Sequence, residues 1–194
     1  MIKPNSKPKL VVMAGFPRSG KTRISSYLAR QTLSPRVAFD DLRQMMFDRR
    51  YPPDVAEGLN LPRRYSTTKI EEGIVQWTAR NMEIAYLENN LGAVVDSTAT
   101  YNSTRKILFD TPPEIQADKF LFVVEVDPDV LRKRLEKSEG YSPETVDLWL
   151  RNWEKPDNNG YETVVLPNNT PRDYKASLKK AIKALGRKRT EEIG

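Results

Sequence analysis

The stretch that most limits what this chain can become is an apolar run ended by a glycine-rich turn. Lys9–Ala14 is short and apolar and stops at Gly15. Phe16-Pro17-Arg18-Ser19-Gly20-Lys21 then leads into Thr22–Gln31, where Ile24, Tyr27 and Leu28 recur at i, i+3 and i+4. The first pattern predicts a buried parallel strand and the last a helix with one apolar face. Between them, Gly15, Gly20, Lys21 and Thr22 match G-x-x-x-x-G-K-[ST], which carries a mechanism when a strand precedes it and a helix follows. Glycines let backbone N–H groups close around phosphate oxygens without a Cβ in the way. The helix N-terminus adds partial positive charge. Lysine at this place reaches β- and γ-phosphates, and the threonine hydroxyl ligates Mg²⁺. Gly15, Pro17, Arg18, Ser19, Gly20, Lys21 and Thr22 are therefore expected to hold a nucleoside triphosphate, ATP, with Mg²⁺.

The alternation continues down the chain. Strands are predicted over Arg36–Phe39, Gly92–Asp96, Lys119–Val126 and Glu162–Leu166. Helices are predicted over Leu42–Arg49, Thr67–Asn90, Asn102–Phe109, Pro128–Lys137, Ser142–Asn152 and Pro171–Leu185. Asp40 or Asp41 is placed to cap the helix that follows it. Ile70, Ile74, Trp77, Ile84 and Leu87 mark the apolar face of the longest helix, and Trp77, Trp149 and Trp153 are expected in the core. Strands alternating with helices imply a mainly parallel five-stranded sheet covered on both faces. There is no internal repeat and no composition break, so residues 1–194 are expected to form one domain with loose tails at 1–7 and 187–194.

Composition removes several kinds of chemistry. The chain has no cysteine and no histidine, which excludes thiolate nucleophiles, Ser-His-Asp triads and the usual zinc sites. Acid–base work falls to carboxylates, lysine or tyrosine, and any metal is a hard, oxygen-bound one. No run of about 18 apolar residues exists to cross a membrane, and the polar N-terminal residues do not resemble a secretory signal; a cytoplasmic protein is expected. The net charge of +6 suits a polyanionic partner.

Triphosphate binding alone does not separate a kinase from a GTPase or a motor. Two features point to a kinase. The second predicted strand ends in Asp40-Asp41 and the third in Asp96, and ligands of doubly wound sheets bind beyond the carboxyl ends of the strands. One such carboxylate can take the proton of an attacking hydroxyl, and another can orient Mg²⁺ or its water, as transfer to an alcohol requires. Arg43, three residues after Asp40, can bind an anionic group of the acceptor.

With these residues in view, the chain resembles the polynucleotide 5′-hydroxyl kinase family best known from bacteriophages. The shared features are G-x-P-x-S-G-K-[ST] at Gly15–Thr22, Asp40-Asp41-Leu42-Arg43, Glu72-Gly73-Ile74-Val75, and Asp96-Ser97-Thr98 with Asn102 beyond, in order over roughly residues 9 to 153. The resemblance implies a P-loop NTPase three-layer α/β sandwich with a short helical lid. It makes Asp40 the general base, which also serves the metal through water together with Thr22. Arg43 becomes the contact to the phosphate beside the acceptor, with Asp41, Asp96 and Thr98 on the acceptor side. Arg132 and Arg134 begin the lid over the donor phosphates, Arg134 with a catalytic part. Two features depart from the family: Lys137-Ser138-Glu139-Gly140 stands where the lid carries a further arginine, and Arg18 occupies a place often held by a small residue.

Arg49-Arg50-Tyr51 and Arg63-Arg64-Tyr65 flank a proline-containing loop, and arginines beside an aromatic can bind phosphates and stack a base. The expected activity is transfer of the ATP γ-phosphate to a hydroxyl of nucleic acid, DNA rather than RNA. The acceptor is either a polynucleotide 5′-hydroxyl or a hydroxymethylated base such as 5-hydroxymethyluracil in phage DNA. Two other readings compete: a small-molecule kinase for a nucleoside, sugar or antibiotic alcohol, and a non-catalytic ATP-dependent nucleic-acid-binding module.

Overall fold

The computed structural model describes residues 7–52, 56–57, 65–136, 143–157 and 160–186. Arg63 and Arg64, Lys137 to Ser142 and the terminal tails lie outside these. Five strands, β1 (Lys9–Ala14), β2 (Arg36–Ala38), β3 (Ala93–Asp96), β4 (Asp118–Glu125) and β5 (Glu162–Pro167), form one sheet in the order β2-β3-β1-β4-β5. Every pairing is parallel, so the expected mainly parallel sheet is wholly parallel. Parallel pairing requires crossovers. Among the described residues they run through α1 (Lys21–Thr32), α2 (Phe39–Phe47), α3 (Lys69–Glu88), α4 (Asn102–Phe109), α5 (Pro128–Glu136) and α6 (Pro143–Asn152), and α7 (Pro171–Gly186) follows the last strand. Among the described residues no helix is long and apolar enough to cross a membrane.

The alternation of side chains along β1 builds the three layers. Leu10, Val12 and Ala14 join Leu42 of α2, Val75 and Ala79 of α3 and Leu108 of α4 on one face. Val11 and Met13 join Ile24 and Leu28 of α1 and Ala181, Ala184 and Leu185 of α7 on the other. A third, smaller cluster holds α5 and α6 together through Leu131, Leu135, Val146 and Trp149, and Phe16 of the glycine loop and Tyr51 pack against it.

Local signals explain two of the helix starts. Thr68 caps α3 in a reciprocal box with Glu71, and Thr170 and Asp173 do the same for α7; each pair satisfies two otherwise orphaned groups. Other expectations fail. β2 stops at Ala38 and α2 opens at Phe39, so Asp40 and Asp41 lie inside its first turn and neither caps it. They complement the helix dipole there instead. The buried face of α3 is Val75, Ala79, Glu83 and Leu87, while Ile70 is 78% exposed, Trp77 64% and Ile74 42%. The two stripes are rotated around one helix, and periodicity read Ile70, Ile74 and Trp77 as the inner one. Trp149 is in the core and Trp153 packs against it as expected.

Glu83 is the cost of that rotation. It is fully buried, and neither carboxylate oxygen has a hydrogen-bond partner among the described residues. Burial drives its pKa well above the ordinary glutamate value, against the weaker pull of Arg80 and Lys119. A raised folded-state pKa means that the folded chain holds a proton the unfolded chain releases. Stability from this group is present below the unfolded pKa and is lost as pH rises toward the folded one. Glu83→Met is therefore expected to raise the thermal midpoint, by more at pH 8 than at pH 5, in paired unfolding scans; an equal gain at both pH values would show that Glu83 is not held protonated.

Candidate active site

The glycine loop joins the end of β1 to the start of α1, and its shape depends on its two glycines. Gly15 has φ +134° and Gly20 φ +97°, left-handed values that L side chains avoid. A Cβ on Gly15 would lie 2.6 Å from the Val124 carbonyl oxygen, and one on Gly20 would collide with Nδ2 of Asn168. Arg18, φ +61°, also takes the left-handed conformation. The loop is fastened from outside. Gly15 N–H donates to Thr98 O at 3.0 Å, Asn168 Nδ2 to Ser19 O at 2.6 Å, and Arg134 to Arg18 O at 3.4 Å. Phe16 stacks on Trp149 and meets Trp153 edge-on.

Lys21 is buried at the first turn of α1 and donates to Phe16 O at 2.7 Å. Burial lowers its pKa, while Asp96 and then Asp40 pull it back up. Ser19 Oγ is buried and lacks a partner among the described residues. A left-handed glycine cradle, a helix N-terminus, a lysine and a spare hydroxyl are what phosphate oxygens need, so the residues fit a triphosphate. For the metal, no cluster of three or more acidic ligands exists among the described residues. The Thr22 hydroxyl, with Asp40 and Asp96 on the same cavity, suits Mg²⁺, which keeps waters and phosphate oxygens as most of its ligands.

A cavity of about 660 Å³ extends from this loop past Asp40, Arg43, Asp96, Ser97 and Thr98 to Arg50, Tyr51 and Pro52. The sheet thus brings together the phosphate loop, the first turn of α2 and the end of β3. Asp96 is buried, and its Oδ2 accepts from Arg36 Nη2 at 2.5 Å and from Ser25 Oγ at 2.9 Å. Arg36 Nε donates to Ser25 Oγ at 3.0 Å and its Nη1 to Asp41 at 3.3 Å. Arg36 thereby ties Asp96 and Asp41 together; Asp41 itself is not on the cavity.

Asp40 projects into the cleft, 78% exposed. The surrounding walls limit its hydration and raise its pKa, with Arg43 and then Lys21 opposing. Arg43 is buried and fully engaged. Its Nη1 donates to Asp40 at 2.7 Å, and its Nε and Nη2 grip Glu72 at 2.8 and 2.6 Å. Arg132 spends its guanidinium on Asp129 and Asp147. Arg134 spends Nη2 on the carbonyls of Asn168 and Asn169. Neither lines the cavity: Arg132 clasps α5 to α6, and Arg134 braces the phosphate loop from behind.

Arg36, Ser25, Glu72 and Asn168 are the residues that reading by motif missed or left without a role. A charged residue at the start of a short apolar strand was the one available hint for Arg36. Asn168 lies 149 positions from Ser19, and no local pattern marks it.

A family profile described as an AAA domain, AAA_33, matches residues 10–156. No curated protein matches. Among solved structures, a sugar kinase from Janibacter sp. HTCC2649 has TM-score 0.70 and 17% identity over 92% of this chain and 94% of its own. A putative kinase from Chloroflexus aurantiacus has TM-score 0.68 and 18% identity over 93% and 97%. The Pnkp1/Rnl/Hen1 complex matches with TM-score 0.51 and 27% identity over 68% of this chain and 41% of that one. With its wholly parallel sheet and its glycine loop, this chain belongs to the AAA_33 family of AAA domains and has the P-loop kinase fold.

Proposed function

We propose that this protein transfers the γ-phosphate of MgATP to a hydroxyl group in the cytoplasm, with a nucleic-acid hydroxyl as acceptor, DNA before RNA. The observation that carries the kinase reading is the placement of Asp40 on the same cavity as Lys21 and Thr22. Asp40 takes the acceptor's proton, and Arg43 holds its carboxylate in place. Lys21 and the loop N–H groups hold the donor phosphates. Thr22 and Asp96 face the metal, directly or through water; Mg²⁺ when bound neutralises charge that develops on the phosphates. The nucleic-acid acceptor is supported by the net charge of +6 and by the likeness to the Pnkp1/Rnl/Hen1 complex. This reading covers both the 5′-hydroxyl and the hydroxymethylated base.

A small-molecule alcohol is the second reading. One observation favours it: the chain matches a sugar kinase along almost the whole length of both, whereas it spans 41% of the chain from the Pnkp1/Rnl/Hen1 complex. Incubation with γ-labelled ATP and a 5′-hydroxyl oligonucleotide, end-blocked hydroxymethyluracil duplex or mixed nucleosides and sugars decides between them. Label on small alcohols alone would replace the nucleic-acid reading.

Asp40→Asn is expected to lower turnover by about 10²–10⁴-fold, the usual weight of a general base. The base works ionised and its pKa is raised, so the wild-type rate should fall as pH drops through a value above the ordinary aspartate range. A pH–rate profile of the Asn variant should lack that acid limb.

Arg36→Gln removes the clamp on Asp96. Loss of one charged hydrogen bond is on the order of 1.5–3 kcal/mol, so titration with MgADP should show affinity about tenfold weaker or worse, with Arg36→Lys in between. Unchanged affinity in the Gln variant would remove Asp96 from the metal side.

A further inference from the structure

We infer that Arg50, and not Arg43, binds an anionic group on the acceptor, so that the substrate is an alcohol carrying a phosphate or similar anion near its reactive hydroxyl. The inference rests on the kinase reading for the word acceptor, but the anion subsite itself stands on the geometry. Arg43 sits three residues from Asp40, where it is expected to meet the acceptor's phosphate. In the fold it is buried, with 2% exposure, and its guanidinium is divided between Asp40 and a two-pronged contact to Glu72. An arginine already paired with two carboxylates has little positive potential to offer a third anion, and moving it would leave the half-buried Glu72 uncompensated. Its geometry is that of a positioning residue for Asp40.

The other cations on the cavity divide by place. Lys21 is at the phosphate loop and bonded to Phe16 O. Arg23 lies over the Tyr174 ring at 4.1 Å. Arg18 belongs to the donor loop. That leaves Arg50, exposed, on the cavity wall with Tyr51 and Pro52. Among the described residues no carboxylate pairs with it. The wall is tied to the Asp40 side by a continuous chain of bonds. Arg49 N–H donates to Arg43 O at 3.4 Å. Thr67 donates to Tyr51 O through its N–H at 3.0 Å and lies within 3.2 Å of the same oxygen through its hydroxyl. That hydroxyl also lies 3.1 Å from Glu72 Oε2. Glu72 therefore does two things: it immobilises Arg43 behind the base, and through Thr67 it fixes the backbone that carries Arg50. A cation with no carboxylate partner among the described residues, on a braced wall of the cavity that Asp40 also lines, is a subsite for an anion; the planar guanidinium suits a phosphate oxygen pair.

The test fills the donor site first. Protein saturated with Mg²⁺ and the non-hydrolysable analogue AMP-PNP is titrated calorimetrically with inorganic phosphate. The wild type is expected to take up one phosphate. Arg50→Gln should weaken that binding at least tenfold, Arg50→Lys less, and Arg43→Lys, which disturbs the wall only through Glu72, less than Arg50→Gln. AMP-PNP binding by each variant reports that it is folded. No phosphate uptake by the wild type, equal uptake by Arg50→Gln, or a larger loss in Arg43→Lys would overturn the assignment. The acceptor arms then use thymidine, thymidine 3′-phosphate and a 5′-hydroxyl oligonucleotide. Arg50→Gln should raise KM for the charged acceptors tenfold or more relative to thymidine, and equal changes for all three would overturn it. Label confined to thymidine 3′-phosphate marks a small phosphate ester as the source of the anion, and label on the oligonucleotide marks nucleic acid. Phosphate uptake with no labelled acceptor would refute the kinase reading while leaving the subsite in place.

Discussion

The glycine loop holds its phosphate-binding shape because other parts of the chain grip it. Its backbone takes left-handed conformations at Gly15, Arg18 and Gly20, and such a loop has few bonds of its own to hold it. The turn after β3 takes the Gly15 N–H, the loop after β5 takes Ser19 O through Asn168, and α6 presents Trp149 to Phe16. All three meet the loop because a parallel sheet delivers every strand's carboxyl end to one edge. The order β2-β3-β1-β4-β5 puts β1 in the middle, so the loop has a neighbouring strand end on each side. Preorganised N–H groups are worth most when they need not rearrange on binding, and this bracing supplies that rigidity.

Charge in the cleft follows a second rule: most of it is already matched. Asp96 is answered by Arg36 and Glu72 by Arg43. Removing one partner of a buried pair leaves an uncompensated charge that costs several kcal/mol, so these arginines are structural commitments. Groups on the cavity that can meet a ligand include Lys21, held by a single carbonyl, Asp40, exposed although Arg43 holds it, and the exposed Arg50. The bonds from Arg43 through Glu72 and Thr67 to Tyr51 make the base and the far wall one mechanical unit. A change at Glu72 should therefore reach both.

Element type and order were legible in the residues because they depend on short-range patterns. The strand before Gly15, the helix after Gly20 and the apolar strands at Gly92–Asp96 and Lys119–Val126 each need fewer than ten residues to declare themselves. The phosphate loop and the carboxylates at Asp40 and Asp96 were legible for the same reason. The inner face of α3 was not. Ile70, Ile74 and Trp77 obey the helical period as well as Val75, Ala79 and Glu83 do, and hydrophobicity alone chose the wrong stripe because the buried one contains an acid.

The pairing of arginines was decided only by tertiary structure. Arg43 meets Glu72 across 29 positions, Arg36 meets Asp96 across 60 and Arg134 meets the phosphate loop across 116. Whether a guanidinium is spent or free depends on which carboxylates and carbonyls the sheet order brings beside it, and no local spacing encodes that. The sequence by itself thus determined that a strand, a phosphate-binding loop and a helix would be made and that acids would stand at neighbouring strand ends. The fold decided which cations were consumed in holding those acids still and which were left to meet a substrate.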